Sequence, residues 1–263
     1  MRADYKNWVP KGMIWGLTAA TAAAAAGTAA LTVLACRTGS TAAGIGAGLL
    51  GLGTVVCGAS LGWSVSAHRA FSYDGTRRLS AQIIDGTAAY ITLPAGGVGL
   101  DVGCGSGALT IACAKRNPQA NMIGIDRWGG EYASFSKELC ERNAAAEGVQ
   151  NTEFRKGDAV RLDFPDESFD AVTSNYVYHN ITGADKQALL RETLRVLKKG
   201  GCFAIHDLMS PARYGDMQAF AESLHKAGYE KVELLDTTNG MFMSRGEAAR
   251  LMLRGSTLLI GRK

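Results

Sequence analysis

The sequence predicts an α/β domain built on a mainly parallel sheet, preceded by a pair of long apolar helices. Three observations carry that expectation. Two stretches near the N-terminus, Gly12–Cys36 and Thr38–Ala67, hold no charged residue over 25 and 30 positions, with Arg37 alone between them. From residue 98 onward, short apolar runs alternate with amphipathic segments, the pattern of strands and crossover helices. The first such run, Val98–Val102, opens directly into a turn containing Gly103, Gly105 and Gly107. At 263 residues the chain has room for one such domain and a modest appendage.

Each uncharged stretch exceeds the ~20 residues that a helix needs to cross a bilayer. The expected spans are about 12–36 and 42–66. Two other readings compete: a signal peptide, since a basic start precedes the first apolar run, and a buried helical hairpin in a soluble core. Length and the lack of charge favour spanning. Small residues four apart (Gly44 with Gly48, Ala47 with Gly51, Gly58 with Gly62) suit close helix packing and offer a route to a homo-oligomer through the glycine-rich helices. Arg2, Lys6 and Lys11 precede the hairpin, and Arg69, Arg77 and Arg78 follow it. The positive-inside rule then puts both termini and the α/β domain in the cytoplasm, with two membrane passes. The expected division is 1–67 as membrane-anchoring hairpin, 68–97 as linker and lid helix, and 98–263 as the ligand-binding domain.

The elements follow in order. Leu79–Ile91 reads as a helix before the first strand. Val98–Val102 is that strand, and Ala108–Lys115 the helix after its turn. Asn121–Ile125 is a second strand, and Glu131–Gly148 a long helix that Gly148 stops. Thr152–Arg155 and Phe169–Ser174 are strands three and four. Asp185–Leu197 is helical, Cys202–His206 is strand five, and Met217–Ala227 is a helix stopped by Gly228. Val232–Leu235 and Thr257–Ile260 form a last strand pair. Such sheets bind ligands beyond the C-terminal ends of their strands.

Charge narrows the function. The net charge is +4, but the segment before residue 68 holds four basic residues against one acidic, and the remainder 24 against 23. A nearly neutral domain lacks the basic excess that phosphate-rich partners demand, so nucleic acid is not an expected partner. The six cysteines form no C-x-x-C pair and have no clustered histidine, so no metal site is expected.

The glycine turn carries the chemistry. Gly103-Cys104-Gly105-Ser106-Gly107 gives G-x-G-x-G after a strand and before a helix, with Asp101 two residues upstream and Asp126 closing the second strand. Glycines let the backbone turn sharply and a ligand approach closely. A carboxylate at the second strand end can accept both hydroxyls of a ribose. The dinucleotide fingerprint is spaced G-x-G-x-x-G. A carboxylate beside the first glycine would repel a pyrophosphate but suits a cation. At these residues the sequence resembles the class I, Rossmann-like, S-adenosylmethionine-dependent methyltransferases, in the broad small-molecule subgroup that includes quinone-biosynthesis enzymes. The resemblance continues through Lys156-Gly157-Asp158-Ala159, through Phe164-Pro165-Asp166-Glu167-Ser168-Phe169-Asp170, and through Arg195-Val196-Leu197-Lys198-Lys199-Gly200-Gly201, where Lys199 replaces the usual proline. It covers about residues 98–207 and implies a seven-stranded sheet.

The resemblance assigns roles. Gly103, Cys104, Gly105 and Gly107 would border the methionine part of S-adenosyl-L-methionine, and Asp101 would hold the loop or the cofactor's amino group. Asp126 would hold the ribose, Arg127 and Trp128 would flank the adenine, with a plain surface or core aromatic as the alternative for Trp128, and Asp158 with Ala159 would meet the adenine amino group. Asn175, at the end of strand four, would face the meeting point of cofactor and acceptor. His179 is the candidate general base, with a structural role as its alternative, and Tyr176 is a second catalytic candidate. Tyr176 and Tyr178 would shape an acceptor pocket or simply pack, and Tyr73 would belong to a lid or to a linker with a capping function. His206 and Asp207 are expected to have ordinary strand-end roles.

The expected function is methyl transfer to a small, lipophilic or membrane-associated acceptor. The alternative is a non-catalytic S-adenosylmethionine-binding membrane module acting in assembly or sensing. A nicotinamide dehydrogenase is weakened by the glycine spacing.

Overall fold

The computed structural model describes residues 2–130 and 134–263. Its contacts divide the chain into two units, Lys6–Ser80 and, together, Met1–Tyr5 with Ala81–Lys263.

The first unit is a helical hairpin of α1 (Lys11–Thr38) and α2 (Thr41–Phe71). Gly39 ends α1 in the left-handed region, its N–H returning to the Ala35 carbonyl, and the Ser40 hydroxyl caps α2. Both helices overrun the expected spans and are long and apolar enough to cross a membrane, with mean hydropathy 1.7 each. The seam is made by small residues under large ones. A Cβ on Gly27 would lie 2.8 Å from Leu50, and one on Gly46 would lie 2.9 Å from Leu31. Of the expected small pairs, Ala47 and Gly51 face this seam and Gly58 lies against Thr21, whereas Gly44, Gly48 and Gly62 have open space beside them. The buried-core reading of the hairpin is not met: Ile45, Leu49, Leu52, Val55 and Val56 are all more than half exposed. Threonine hydroxyls at 18, 21, 28, 32, 38 and 54 each donate to the carbonyl four residues back, which satisfies them without water. The open end of the hairpin is clamped. The Asn7 amide donates to the His68 carbonyl at 2.9 Å, the His68 ring meets the Val9 carbonyl at 2.7 Å, and Trp8 packs edge-on to Trp63 and Phe71.

The second unit is a seven-stranded sheet in the order β3-β2-β1-β4-β5-β7-β6. The strands are β1 (Val98–Val102), β2 (Asn121–Asp126), β3 (Thr152–Lys156), β4 (Phe169–Asn175), β5 (Leu197–Leu208), β6 (Lys231–Asp236) and β7 (Ser256–Arg262). Six strands run in the same direction and β7 runs antiparallel between β5 and β6. The order reverses between β1 and β4, which opens a crevice at their C-terminal ends. The helices are α3 (Leu79–Ala88), α4 (Ala108–Arg116), α5 (Lys137–Ala146), α6 (Lys186–Arg195), α7 (Pro211–Tyr214), α8 (Met217–Lys226) and α9 (Arg245–Arg250).

Three expectations shift. The helix read from 131 begins at Lys137, because Ser136 caps it, its hydroxyl accepting from Leu139 N; residues 131–133 lie outside the described residues. The helix read as 79–91 stops at Ala88. Strand five takes in the Lys198–Gly201 segment, with a register shift against β4 between Phe169 and Ala171. α7 and α9 are too short to leave a periodic signal.

Two of the family-like motifs serve the opposite end of the sheet from the crevice. Arg195 donates to the Leu162 and Phe164 carbonyls and pairs with Asp166 and Glu192. Lys198 bonds Asp170 at 3.0 Å, and Asp170 also accepts from Val98 N. These contacts tie the starts of β1, β4 and β5 together, at the end of the sheet away from the glycine turn.

Candidate active site

The glycine turn is folded by its own backbone. Gly103, Gly105 and Gly107 all have positive φ, at 76°, 55° and 82°, where a side chain costs energy. Gly103 N and Cys104 N both donate to the Ile125 carbonyl, pinning the turn to the end of β2. A Cβ on Gly103 would lie 2.4 Å from Val177. Gly103 therefore lets the loop after β4 close against the turn. At Gly105 nothing comes nearer than the Phe135 ring at 3.8 Å, so that face has room.

Asp101 lies beneath the turn and is 1% exposed. Thr110 Oγ1 donates to it at 2.6 Å and Thr173 Oγ1 at 3.0 Å. Burial outweighs these bonds and pushes its pKa up to about 6. Asp126 is held by two backbone donors, Gly105 N at 2.9 Å and Trp128 N at 2.8 Å. The Trp128 indole returns a bond to the Gly105 carbonyl at 3.0 Å, and the Cys140 thiol reaches the same oxygen at 3.2 Å. Trp128 itself sits at φ 43°, a backbone state that the bonds around it must hold. Arg127 is exposed. Burial, then Cys140, raises the Cys104 thiol well above its ordinary range, so it acts as a small apolar residue. Asp158 is exposed at the end of the β3 loop, its Oδ1 accepting from Val160 N, with Ala159 half-buried beside it.

Asn143 was not singled out in the sequence. It is buried on α5, and its amide donates to the Ser106 carbonyl at 2.9 Å and the Asp4 carbonyl at 3.1 Å, while Asp4 N donates back at 2.8 Å. Tyr5 packs on the cluster of Cys104, Ile111, Cys140, Ala144 and Phe154. The first residues of the chain are thus strapped to the flank of the glycine turn. No local pattern near Asp4 announces this.

On the β4–β5 side the picture departs from expectation. Tyr178 is fully buried with its hydroxyl on Thr193 at 2.5 Å, so it is core, not pocket wall. Tyr176 adopts φ 55°, its hydroxyl bonds Ser256 Oγ at 2.6 Å, and burial pushes its pKa upward, which disfavours a role as base. His206 is fully buried between the Tyr176 and Phe242 rings, and burial lowers its pKa to about 4. Its Nε2 meets Thr237 Oγ1 at 3.1 Å, and that hydroxyl donates to the Ser256 carbonyl. Its Nδ1 lies 2.9 Å from Asn175 Oδ1.

Asp207 has more than a strand-end role. It is fully buried and accepts from Tyr178 N, His179 N, Leu208 N and the His179 ring, whose Nδ1 lies 2.5 Å away. The sequence signal was only its place near the end of a central strand. Tyr73 lies in the hairpin unit, in the turn after α2. Among the described residues no group of histidine, cysteine or acidic side chains is arranged to hold a metal ion.

The donor set fits a cationic adenosyl ligand. Two carboxylates, Asp101 below the turn and Asp126 at the end of β2, oppose a pyrophosphate and favour positive charge. The open face at Gly105 admits a ligand against the backbone.

The sheet order, glycine turn and carboxylate pair define a class I methyltransferase, and comparison with known proteins agrees. A profile for a methyltransferase domain matches residues 100–205. A demethylmenaquinone methyltransferase of Geobacillus stearothermophilus is 30% identical over 164 residues, 58% of this chain and 67% of that one. The enzyme of the same name from Lactobacillus johnsonii is 34% identical over 123 residues, 46% of this chain and 48% of that one. The chain thus spans about half to two thirds of these relatives. A geranyl diphosphate methyltransferase solved with GPP and sinefungin shares the fold at TM-score 0.54 and 14% identity, covering 72% of this chain and 79% of that one. The chain belongs to the class I S-adenosylmethionine-dependent methyltransferases, whose cofactor is S-adenosylmethionine.

Proposed function

We propose that this chain transfers a methyl group to a small lipophilic acceptor while held at a membrane by α1 and α2. The observation that carries the reading is the glycine turn: Asp126 grips Gly105, Asp101 lies buried below, and the face at Gly105 is open. When bound, the cofactor supplies an electrophilic methyl group on a sulfonium. Asp101, Gly103, Cys104, Gly105 and Gly107 border its methionine end. Asp126 takes the ribose hydroxyls with its remaining lone pairs. Arg127 flanks the adenine, Asp158 and Ala159 meet its amino group, and Asn175 stands at the acceptor side. Tyr73 belongs to a lid. Alignment of acceptor and methyl group supplies much of the acceleration.

The relatives are named for demethylmenaquinone, a lipid-soluble quinone, and an acceptor of that kind suits an enzyme held at a bilayer. The hairpin leaves from Tyr5 and returns at Ala81 to one and the same unit, which supports both ends lying on one side. With the basic flanks, that side is the cytoplasm. The outward Gly44 and Gly48 supply a contact for a second copy.

Calorimetry of the full chain in nanodiscs with S-adenosylhomocysteine tests the reading. Micromolar binding that Asp126→Ala weakens by at least about 100-fold is expected. Absence of binding to the folded wild-type chain would refute it. Binding without transfer to any lipid-extract acceptor would favour a sensing or assembly module instead.

A further inference from the structure

We propose that Asn143 is a positioning residue for the cofactor turn, and that Asp4 and Tyr5 form a strap whose docking on Asn143 and the binding of cofactor strengthen each other. This rests on the cofactor reading of the glycine turn and deepens it: the site takes an input from the segment that leads into the hairpin.

The turn is held from behind by one face of α5. Cys140 and Asn143 stand three residues apart on that helix, so their side chains are neighbours. The Cys140 thiol donates to the Gly105 carbonyl at 3.2 Å, and the Asn143 amide donates to the Ser106 carbonyl at 2.9 Å. These are consecutive carbonyls of the turn. One peptide earlier, Gly105 N donates to Asp126. Peptide planes are rigid, so a rotation of the Ser106 carbonyl away from α5 passes through the adjoining planes to the carboxylate that takes the ribose.

Asn143 does not hold this position alone. It is buried, and both of its amide hydrogens are used, one on Ser106 and one on the Asp4 carbonyl at 3.1 Å. Its Oδ1 accepts from Asp4 N at 2.8 Å. The backbone of residue 4 thus meets the amide with both its N–H and its C=O, which turns the NH2 toward Ser106. Without the strap the amide loses two of these three partners, a costly loss for a buried polar group. Tyr5 adds an apolar contact to the same place. It packs on a cluster that includes Cys104 of the turn, Cys140 and Phe154. That cluster also bounds the far end of the turn, since a Cβ on Gly107 would lie 3.1 Å from the Phe154 ring and 3.2 Å from Cys140.

The strap is the covalent lead into the other unit. Lys6 follows Tyr5 and begins the hairpin unit, and Asn7 and Val9 are clamped to His68 in the last turn of α2. Only Tyr5 and Lys6 separate the clamp on Asn143 from the clamp on His68. Linkage makes the coupling reciprocal: the factor by which docking tightens cofactor binding is the factor by which cofactor tightens docking, ordinarily about 5–150-fold.

The full chain in nanodiscs, with S-adenosylhomocysteine as the probe, tests the strap. Asp4→Pro removes the N–H that meets Asn143 Oδ1 and leaves the turn and α5 untouched. It should weaken binding about tenfold by calorimetry. Asn143→Ala should weaken it at least as much, and the double variant no further than Asn143→Ala alone, because both act through the same bonds. In the wild type, saturating S-adenosylhomocysteine should slow hydrogen exchange at the Asp4 amide by about the same tenfold. A bond that served stability alone would exchange equally with and without the probe. Wild-type affinity in Asp4→Pro overturns the strap, and so does strict additivity in the double variant or an Asp4 amide indifferent to the probe. If Asn143→Ala does not fold, Asp4→Pro and the wild-type exchange decide between them. A folded wild-type chain that binds no S-adenosylhomocysteine overturns the cofactor reading itself, and the coupling with it.

Discussion

Gly103→Ala is expected to destabilise the methyltransferase unit through two separable effects. The first is conformational: φ of 76° places an alanine in the left-handed region, at a cost of about 1–2 kcal/mol. The second is steric: the new Cβ would lie 2.4 and 2.6 Å from the two Val177 methyls, so more than an ångström of room must be made. Overpacking of that kind costs about 1–3 kcal/mol. Together they predict a loss of about 2–5 kcal/mol, or roughly 5–15 °C in the unfolding temperature of a unit this size. Val177→Ala removes the steric half alone and should itself cost about 1 kcal/mol. The double variant should recover about 1–2 kcal/mol relative to additivity, because only the backbone cost remains. Pulse proteolysis across a urea series, in nanodiscs, reads the methyltransferase unit separately from the hairpin. A Gly103→Ala chain as stable as the wild type, or strict additivity in the double variant, would refute the account of why the turn begins with glycine.

Two buried groups give opposite pH dependences. Asp101 has its folded pKa raised to about 6 by burial, so it penalises folding above that pH by about 3 kcal/mol, and the penalty fades as pH falls from about 6 towards 3.8. Asp101→Asn should gain on the wild type as pH rises from 4 to 7; a constant difference would contradict its burial as an ion. His206 has its folded pKa lowered to about 4, so it favours folding above pH 6.5 and loses about 3 kcal/mol as pH falls from 6.5 to 4. His206→Gln should lose less stability over that range than the wild type does, measured by the same proteolysis. Because the two slopes oppose each other, the wild-type profile between pH 4 and 6 should be flat compared with either variant. Arg195→Ala should cost about 1–2 kcal/mol by stripping the Leu162 and Phe164 carbonyls of their donor, and S-adenosylhomocysteine affinity should not move. A loss of affinity with stability intact would mean that the motif beginning at Arg195 reaches the crevice after all.

β1 was legible because it is a compact apolar run that opens into a glycine turn, and it matches its expected limits. Helix starts were less so. α5 begins where Ser136 accepts from Leu139 N, and a serine inside an amphipathic stretch reads either way until the helix is seen. The cofactor turn was legible residue by residue, because glycine spacing and the strand-end carboxylates lie close together along the chain. The acceptor side was not. Tyr176 and Tyr178 stood in the expected segment, yet one hydroxyl is spent on Ser256 and the other on Thr193, partners 80 and 15 residues away.

The sequence by itself therefore determined what is local: two long apolar helices, the alternation of strand and helix, and the glycine turn with Asp101 and Asp126. Backbone preference, hydrophobic period and charge-free length act over a few residues and can be read in order. Only the tertiary structure decided which side chains meet across the sheet. It paired His179 with Asp207, set Asn143 between Ser106 and Asp4, and buried His206 as a neutral ring. Those contacts span 28 to 139 residues of chain, and they arise from the parallel register of β4 with β5 and from burial, which no local pattern encodes.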